Sequence, residues 1–376
     1  MPLTVGVLKE TLQGETRVAL TPEITKKLQK LGVSIVMETA AGTGAGILDS
    51  DYEDVEFSDA DGVLGKAGLL FSVQPASAAA VGKLADASVV AGLMYGHINK
   101  ELVTALQGKK ATGFAMELIP RISRAQSMDV LSSQAAASGY QATLIAASTL
   151  DKFFPMLTTA AGTIRPAQVL IIGAGVAGLQ AIATAKRLGA VVKGYDVRSA
   201  TKEQIESLGA KFVDTGVSAD GEGGYARELT DEEKQQQQAA LETEIAVSDV
   251  VISTAAIPGR PAPKIISAAA VAAMKPGAVI VDLAAETGGN CELTKAGETV
   301  VVNHVKIVGP VNLPAALGRN ASEMYARNLF NFISPAIEEG ELRIDWEDEV
   351  FASSALTHDG EIRHEPTRKA IEGEAA

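Results

Sequence analysis

The chain has 376 residues, 47% of them hydrophobic, with a formal net charge of −13. That length exceeds what one core usually supports, so two domains are expected, with apolar content sufficient to fold both without staples. The acidic balance, with no stripe of Lys or Arg, argues against nucleic acid or an anionic membrane surface as a ligand, and the single cysteine, Cys291, excludes an internal disulfide and fits a reducing compartment.

The opening "MPLTVGVLKE" lacks the apolar core of a signal peptide. Within it "LTVGVLKE" reads as a strand, "TPEITKKLQKLG" as a helix with Thr21 as N-cap, Pro22 at its first position and Gly32 closing it, and "VSIVMET" as the next strand. The glycines of "GTGAG" (42–46) run into no helix and read as a loop. "PRISRAQSMD" (120–129) packs two arginines, a glutamine, two serines and an aspartate into ten positions, far more hydrogen-bonding capacity than a plain connection needs. The uncharged run from Val130 to Leu150 contains Ser132, Ser133, Gln134, Ser138, Gln141, Thr143 and Ser148, too polar for a spanning helix, and reads as a long helix with small, closely packing faces.

After residue 160 the pattern restarts. "AQVLIIGAGVAGLQAIATAKRLGAVVKGYDVR" runs strand, glycine turn, helix, strand, and further strands are expected at "AKFVDT", "SDVVISTA", "GAVIVDLA" and "VKIVGPVN". The polar segment 216–244, glycine-rich early and glutamine-rich late, reads as a mobile loop, either an insertion or a lid. "YARNLFNFISPAIEEG" has helical spacing and is expected to pack back on the first domain. The expected class is therefore α/β, with two Rossmann-like domains, mostly parallel sheets and an interdomain nucleotide cleft. The first domain takes 1–132 with 320–376, and the second, a dinucleotide-binding domain, takes 133–319.

The strongest motif is Gly173-Ala174-Gly175-Val176-Ala177-Gly178, which follows an apolar strand, opens a helix and is answered by Asp196 after the next strand. Gly173 permits the turn, Gly175 lets backbone approach a pyrophosphate at the helix N-terminus, and Gly178 lets the helix lie close on the sheet. Asp196 would accept from both ribose hydroxyls and repel a 2′-phosphate, favouring NAD(H) over NADP(H). Val197, Arg198 and Ala255 complete the expected nucleotide contacts, with Arg198 otherwise expected as a surface arginine. The four histidines show no metal-ligand spacing, so no metal is expected, and Cys291 has no evident partner base. No general acid or base stands out.

The stretches "PRISRAQSMDVLSSQ", "IIGAGVAGLQAIATAKRLGA", "DVRSATKEQIESLGAKF", "GGYARE", "TAAIPGRPAPKII" and "MKPGAVIVDLAAETGGNC" resemble the NAD(H)-binding component of proton-translocating (Re/Si-specific) nicotinamide nucleotide transhydrogenases. Alanine dehydrogenases share the two-domain fold, and Lys9, Glu10, Arg17, Pro258, Gly259, Pro263 and Lys264 would serve either family. Where alanine dehydrogenases carry a substrate lysine this chain has Ser72 in "FSVQPA", and Glu286 in "AAETGG" stands where they have a catalytic aspartate. His97, in "MYGHINK", lies near their catalytic histidine. The resemblance implies that Arg121, Gln126, Asp129 and Ser132 hold the nicotinamide end of NADH and that Tyr225 closes over the nucleotide. It also implies NADP(H) on a partner component, a transmembrane partner that passes protons, a homodimer, and a peripheral place on the cytoplasmic side of a bacterial membrane. Two other readings are an amino-acid dehydrogenase of the alanine type and a non-catalytic NAD-sensing module.

Overall fold

The computed structural model describes residues 3–217, 229–256 and 260–372. The chain divides into two compact units, Met1–Gln134 with Pro314–Ala376, and Ala135–Leu313. The division falls inside the helix Val130–Thr149. Tyr225, Pro258 and Gly259 lie outside the described residues.

In the first unit six parallel strands lie side by side in the order Glu56–Ser58, Ser34–Glu38, Thr4–Val7, Leu69–Phe71, Val89–Gly92, Thr112–Ala115. An antiparallel hairpin from the end of the chain, Ala355–His358 with Glu361–Ile362, extends the sheet beyond Thr112–Ala115. Both faces are covered, which is why "LLF" and "VVAG" are apolar throughout rather than alternating. Leu69, Phe71, Val89 and Ala91 pack with Ile24 and Leu28 of helix Pro22–Gln29 and with Tyr325, Leu329 and Phe332 of helix Gly318–Ile333. Leu70 and Val90 face the other way, against Leu64, Val81, Val103 and Leu106. Thr21 occupies the N-cap position of the first helix, but its side chain makes no capping bond there.

The second unit repeats the plan. Its parallel strands run Lys211–Phe212, Val191–Tyr195, Gln168–Ile172, Val250–Ser253, Val279–Asp282, Val305–Val308, with Thr299–Val302 antiparallel at the edge. Val169, Ile171, Val250 and Ile252 pack on Ala181, Ile182 and Ala185 of helix Val176–Arg187, while Leu170, Ile172, Val251 and Ile280 meet Leu241, Ile245 and Val271 on the opposite face.

The expected loop over 216–244 differs from the structure in its second half, which belongs to helix Asp231–Val247. Two forces override the polar composition. Thr230 and Glu233 form a reciprocal capping box, with Glu233 N–H on the Thr230 hydroxyl at 3.3 Å and Thr230 N–H on the Glu233 carboxylate at 2.9 Å, and Leu241 and Ile245, one turn apart, are buried.

Candidate functional site

In each sheet the strand order reverses between the parallel strands that are first and fourth in chain order, Thr4–Val7 beside Leu69–Phe71 and Gln168–Ile172 beside Val250–Ser253, and ligands of such folds bind beyond the carboxyl ends of strands at that point. In the second unit this places the glycine turn, residues 173–178, between Gln168–Ile172 and Val250–Ser253. Gly173 has φ +96°, and a Cβ there would stand 2.6 Å from the Thr254 hydroxyl oxygen; a Cβ on Gly178 would stand 1.8 Å from the Gly173 carbonyl oxygen. The turn and the helix are therefore in backbone contact, and Thr254 ties them to the neighbouring strand by donating to the Gly173 carbonyl at 3.0 Å. Gly175 is the N-cap of helix Val176–Arg187, and a Cβ there would meet nothing within 4 Å. The space beside this helix N-terminus is open, with Val176 exposed and Ala177 half-buried on the first turn, and such an N-terminus favours an anionic group. This fits a dinucleotide.

Asp196 and Val197 follow the second strand, and Asp196 is buried. Its carboxylate accepts from the Ala174 N–H at 2.7 Å and from the Arg198 N–H at 2.9 Å. The Arg198 side chain also reaches it, through Nε and Nη2, both at 2.8 Å. Burial alone would push this carboxyl up, but the guanidinium and the two amides outweigh it and hold the acid below its usual range. Arg198 is thus half-buried, with its guanidinium turned back on Asp196 rather than outward into solvent. The chain bends at residues 197 and 198, which brings the carboxylate two positions back within reach of the Arg198 fork, and the pair is charge-neutral.

Ala255, the next expected contact, is fixed by a residue with no sequence signal. Asn290, fully buried, accepts from the Ala255 N–H at 3.1 Å and donates to the carbonyls of Ala255 and Pro263 at 2.8 and 2.9 Å. Gly139, in the small-residue run of the long helix, is a second omission: a Cβ there would stand 2.0 Å from the Ala177 carbonyl oxygen, so only glycine lets that helix rest on the turn.

The polar loop lies in the first unit. Its residues Ser123–Met128 form a 3-10 turn, with Arg121 and Gln126 exposed. Gln126 makes no side-chain hydrogen bond among the described residues. Asp129 and Ser132 are brought together: the Asp129 carboxylate accepts from the Ser132 N–H at 2.9 Å and its hydroxyl at 2.6 Å, starting the helix Val130–Thr149 as a cap would. The loop is held from behind by Asn328 and Asn331, both donating to the Ser127 carbonyl, and by Arg124 on Asp348.

The switch point of the first unit holds charged groups of its own. Arg17, 3% exposed, donates through Nε and Nη2 to Glu15 at 2.8 and 2.6 Å and through Nη1 to Gln134 at 2.9 Å; Gln74 donates to Glu15 at 2.7 Å. Burial raises the Glu15 carboxyl, but Arg17 outweighs it and brings it down to about 2. Glu10 accepts from the amides of Val73 and Gln74 at 2.6 and 3.3 Å, yet burial dominates and pushes it up to about 7. Ser72 is buried, and its carbonyl accepts from Tyr325. Cys291 is buried with its thiol pushed up by desolvation, a poor nucleophile. Among the described residues no group of three or more His, Cys, Asp or Glu could hold a metal ion, and no helix is long and apolar enough to cross a membrane.

Comparison with known proteins covers both units. Residues 6–138 match the model of the alanine dehydrogenase/PNT N-terminal domain, and residues 142–365 that of the C-terminal domain. A chain of the NAD(P) transhydrogenase alpha subunit from Rhodospirillum rubrum, the first of the parts into which that subunit is divided, is 45% identical over 376 aligned positions, covering 96% of this chain and 98% of that one. Among solved structures, a transhydrogenase from Sinorhizobium meliloti superposes with a TM-score of 0.87 at 44% identity, covering 96% of this chain and 99% of that one. An L-alanine dehydrogenase superposes with a TM-score of 0.82 at 22% identity, covering 99% and 100%, a likeness of fold alone. The chain therefore belongs to the alanine dehydrogenase/PNT family and, within it, to the NAD(P) transhydrogenase alpha-subunit type.

Proposed function

We propose that this chain is the NAD(H)-binding component of a proton-translocating transhydrogenase, which binds NADH and passes its hydride to NADP⁺ held on a partner component, while a membrane component translocates protons. The observation that carries the reading is the glycine turn of residues 173–178 with Asp196 at its side, in a chain 45% identical to a transhydrogenase alpha subunit. Bound NADH would supply the hydride from its dihydronicotinamide carbon. The helix N-terminus at Gly175 would meet the pyrophosphate, with Val176 and Ala177 beside it, and Asp196, Val197, Arg198 and Ala255 would line the adenosine side. Arg121 and Gln126 would orient the ring, while Asp129 and Ser132 hold the loop that carries them, and Tyr225 would close over the nucleotide.

Transfer between two nicotinamides needs alignment and exclusion of water, not a proton acceptor. The first unit supports this over an amino-acid dehydrogenase. Its buried cation, Arg17, is already matched by Glu15, and the polar group beside that pair is the neutral Gln74, so a carboxylate substrate gains no net attraction there. The chain would work as a homodimer on the cytoplasmic face of a bacterial membrane, docked to its transmembrane partner without entering the bilayer.

The test is single-turnover hydride transfer to an NADP⁺-loaded partner component, measured with NADH affinity, for Arg121→Ala and Gln126→Asn. Misplacing a reacting carbon by about 1 Å costs on the order of a hundredfold in rate. One hydrogen bond lost from binding costs about 0.5–1.5 kcal/mol, roughly tenfold at most. Rate should therefore fall further than affinity in both variants. Parental rates in two folded variants would remove the ring-positioning role, and NADH formation from L-alanine would replace the whole reading by the dehydrogenase one.

A further inference from the structure

Resting on the dinucleotide reading of the second unit, we propose that Arg198 is an internal competitor of the adenosine ribose for Asp196 and thereby sets how strongly the site prefers NADH over NADPH. A carboxylate offers about four lone-pair sites. All four are engaged: one oxygen accepts from Ala174 N–H and Arg198 Nη2, the other from Arg198 N–H and Nε. The two amides are backbone groups and can stay. Arg198's own carbonyl accepts from the Thr201 hydroxyl at 2.7 Å and the Thr201 N–H at 3.2 Å, holding that backbone at the start of helix Thr201–Ser207. The guanidinium is the movable partner, with its side chain 29% exposed against 7% for Asp196. A ribose diol can donate to Asp196 only when the guanidinium leaves.

Two consequences follow. NADH binding exchanges an ion pair for two hydroxyl contacts, so part of the attraction of Asp196 is spent before the ribose arrives. The neutral pair also offers a 2′-phosphate no net repulsion, and a guanidinium released from Asp196 is itself a good phosphate ligand. Arg198 therefore acts against the selectivity that Asp196 alone would impose.

The experiment is calorimetric affinity for NADH and for NADPH in the parental chain, Arg198→Met and Arg198→Lys, with a thermal melt of each. Arg198→Met should bind NADH about two- to fivefold more tightly, the weight of one partly exposed ion pair. It should bind NADPH more weakly, so that the preference widens roughly tenfold or more through loss of a charge-assisted phosphate contact. Arg198→Lys keeps the charge without the fork and should fall between the two; should Arg198→Met not fold, that intermediate shift decides. Equal or weaker NADH binding by a folded Arg198→Met overturns the proposal while leaving the dinucleotide site intact. A parental chain that binds neither nucleotide overturns the dinucleotide reading and this inference with it.

Discussion

The two units share one strand order and one switch point, yet the chemistry at the two points is different. In the second unit the first strand ends in a glycine turn that leads straight into a twelve-residue helix, and the adjoining space is left open at Gly175. In the first unit the chain takes residues 8–21 to pass from Thr4–Val7 to the helix Pro22–Gln29, and that excursion brings Glu10, Glu15 and Arg17 back over the strand ends. The backbone amides of Val73 and Gln74, at the end of the fourth strand, are met by the chain's own carboxylate. Topology offers backbone amides at the strand ends in both units; the connection after the first strand decides whether a ligand or the chain's own carboxyl group meets them.

The largest effect that tests this contrast is expected in the first unit. Glu15→Ala leaves the guanidinium of Arg17 buried without its carboxylate, which should cost about 3–5 kcal/mol in denaturant unfolding. NADH affinity, whose proposed adenosine and pyrophosphate contacts belong to the other unit, should stay near the parental value wherever the protein is folded. A loss under about 1 kcal/mol, typical of an exposed pair, would mean that Glu15 and Arg17 do not organise this switch point.

Gly178→Ala comes next. Its Cβ would stand 1.8 Å from the Gly173 carbonyl oxygen, and backbone on both sides leaves little room to yield. Overpacking of this kind should cost about 3 kcal/mol, and displacement of the helix N-terminus should abolish measurable NADH binding. Gly82→Ala in the first unit is the control, because a Cβ there meets nothing within 4 Å. Equal melting temperatures for the two variants would break the claim that the turn and helix of the second unit are in backbone contact.

The same contrast explains what the sequence made legible. The glycine turn is local: strand, turn, helix and Asp196 fall within thirty residues, and each has its own sequence signal. The parallel strands were legible too, since burial on both faces leaves continuous apolar runs such as "QVLII" and "VVIS". The first unit's cluster was not. Glu15, Arg17, Gln74 and Gln134 meet across 59 and 117 positions, and nothing in "LQGETRVAL" distinguishes an internal ion pair from an exposed one. The pairing of Arg198 with Asp196 was not legible either, because composition gives no account of which side chains turn back on their neighbours. Helix Asp231–Val247 was hidden by its glutamines, although "TDEE" carries the capping box that starts it.

The smallest expected effect concerns Glu10. Burial dominates its shift and raises it from 4.5 to about 7, with Glu15 adding to the rise and Arg17 and the amides of Val73 and Gln74 opposing it. Between those two values the folded chain keeps the proton and the unfolded chain has lost it. Stability contributed by Glu10 is therefore full below about pH 4.5 and is lost as pH rises through about 7. Discounted for partial solvent screening, the change should be on the order of 1–2 kcal/mol. His364 works in the opposite direction, because burial lowers its pKa and its contribution grows as pH rises toward 6.5. The comparison must accordingly be between Glu10→Gln, which keeps an acceptor for the two amides without titrating, and the parental chain. Melting temperatures across pH 4.5 to 8 should diverge, the parental chain losing stability that the variant keeps. Superposed curves would show that the carboxylate over the first unit's strand ends is already ionised, a permanent anion in the place that the second unit leaves for a phosphate.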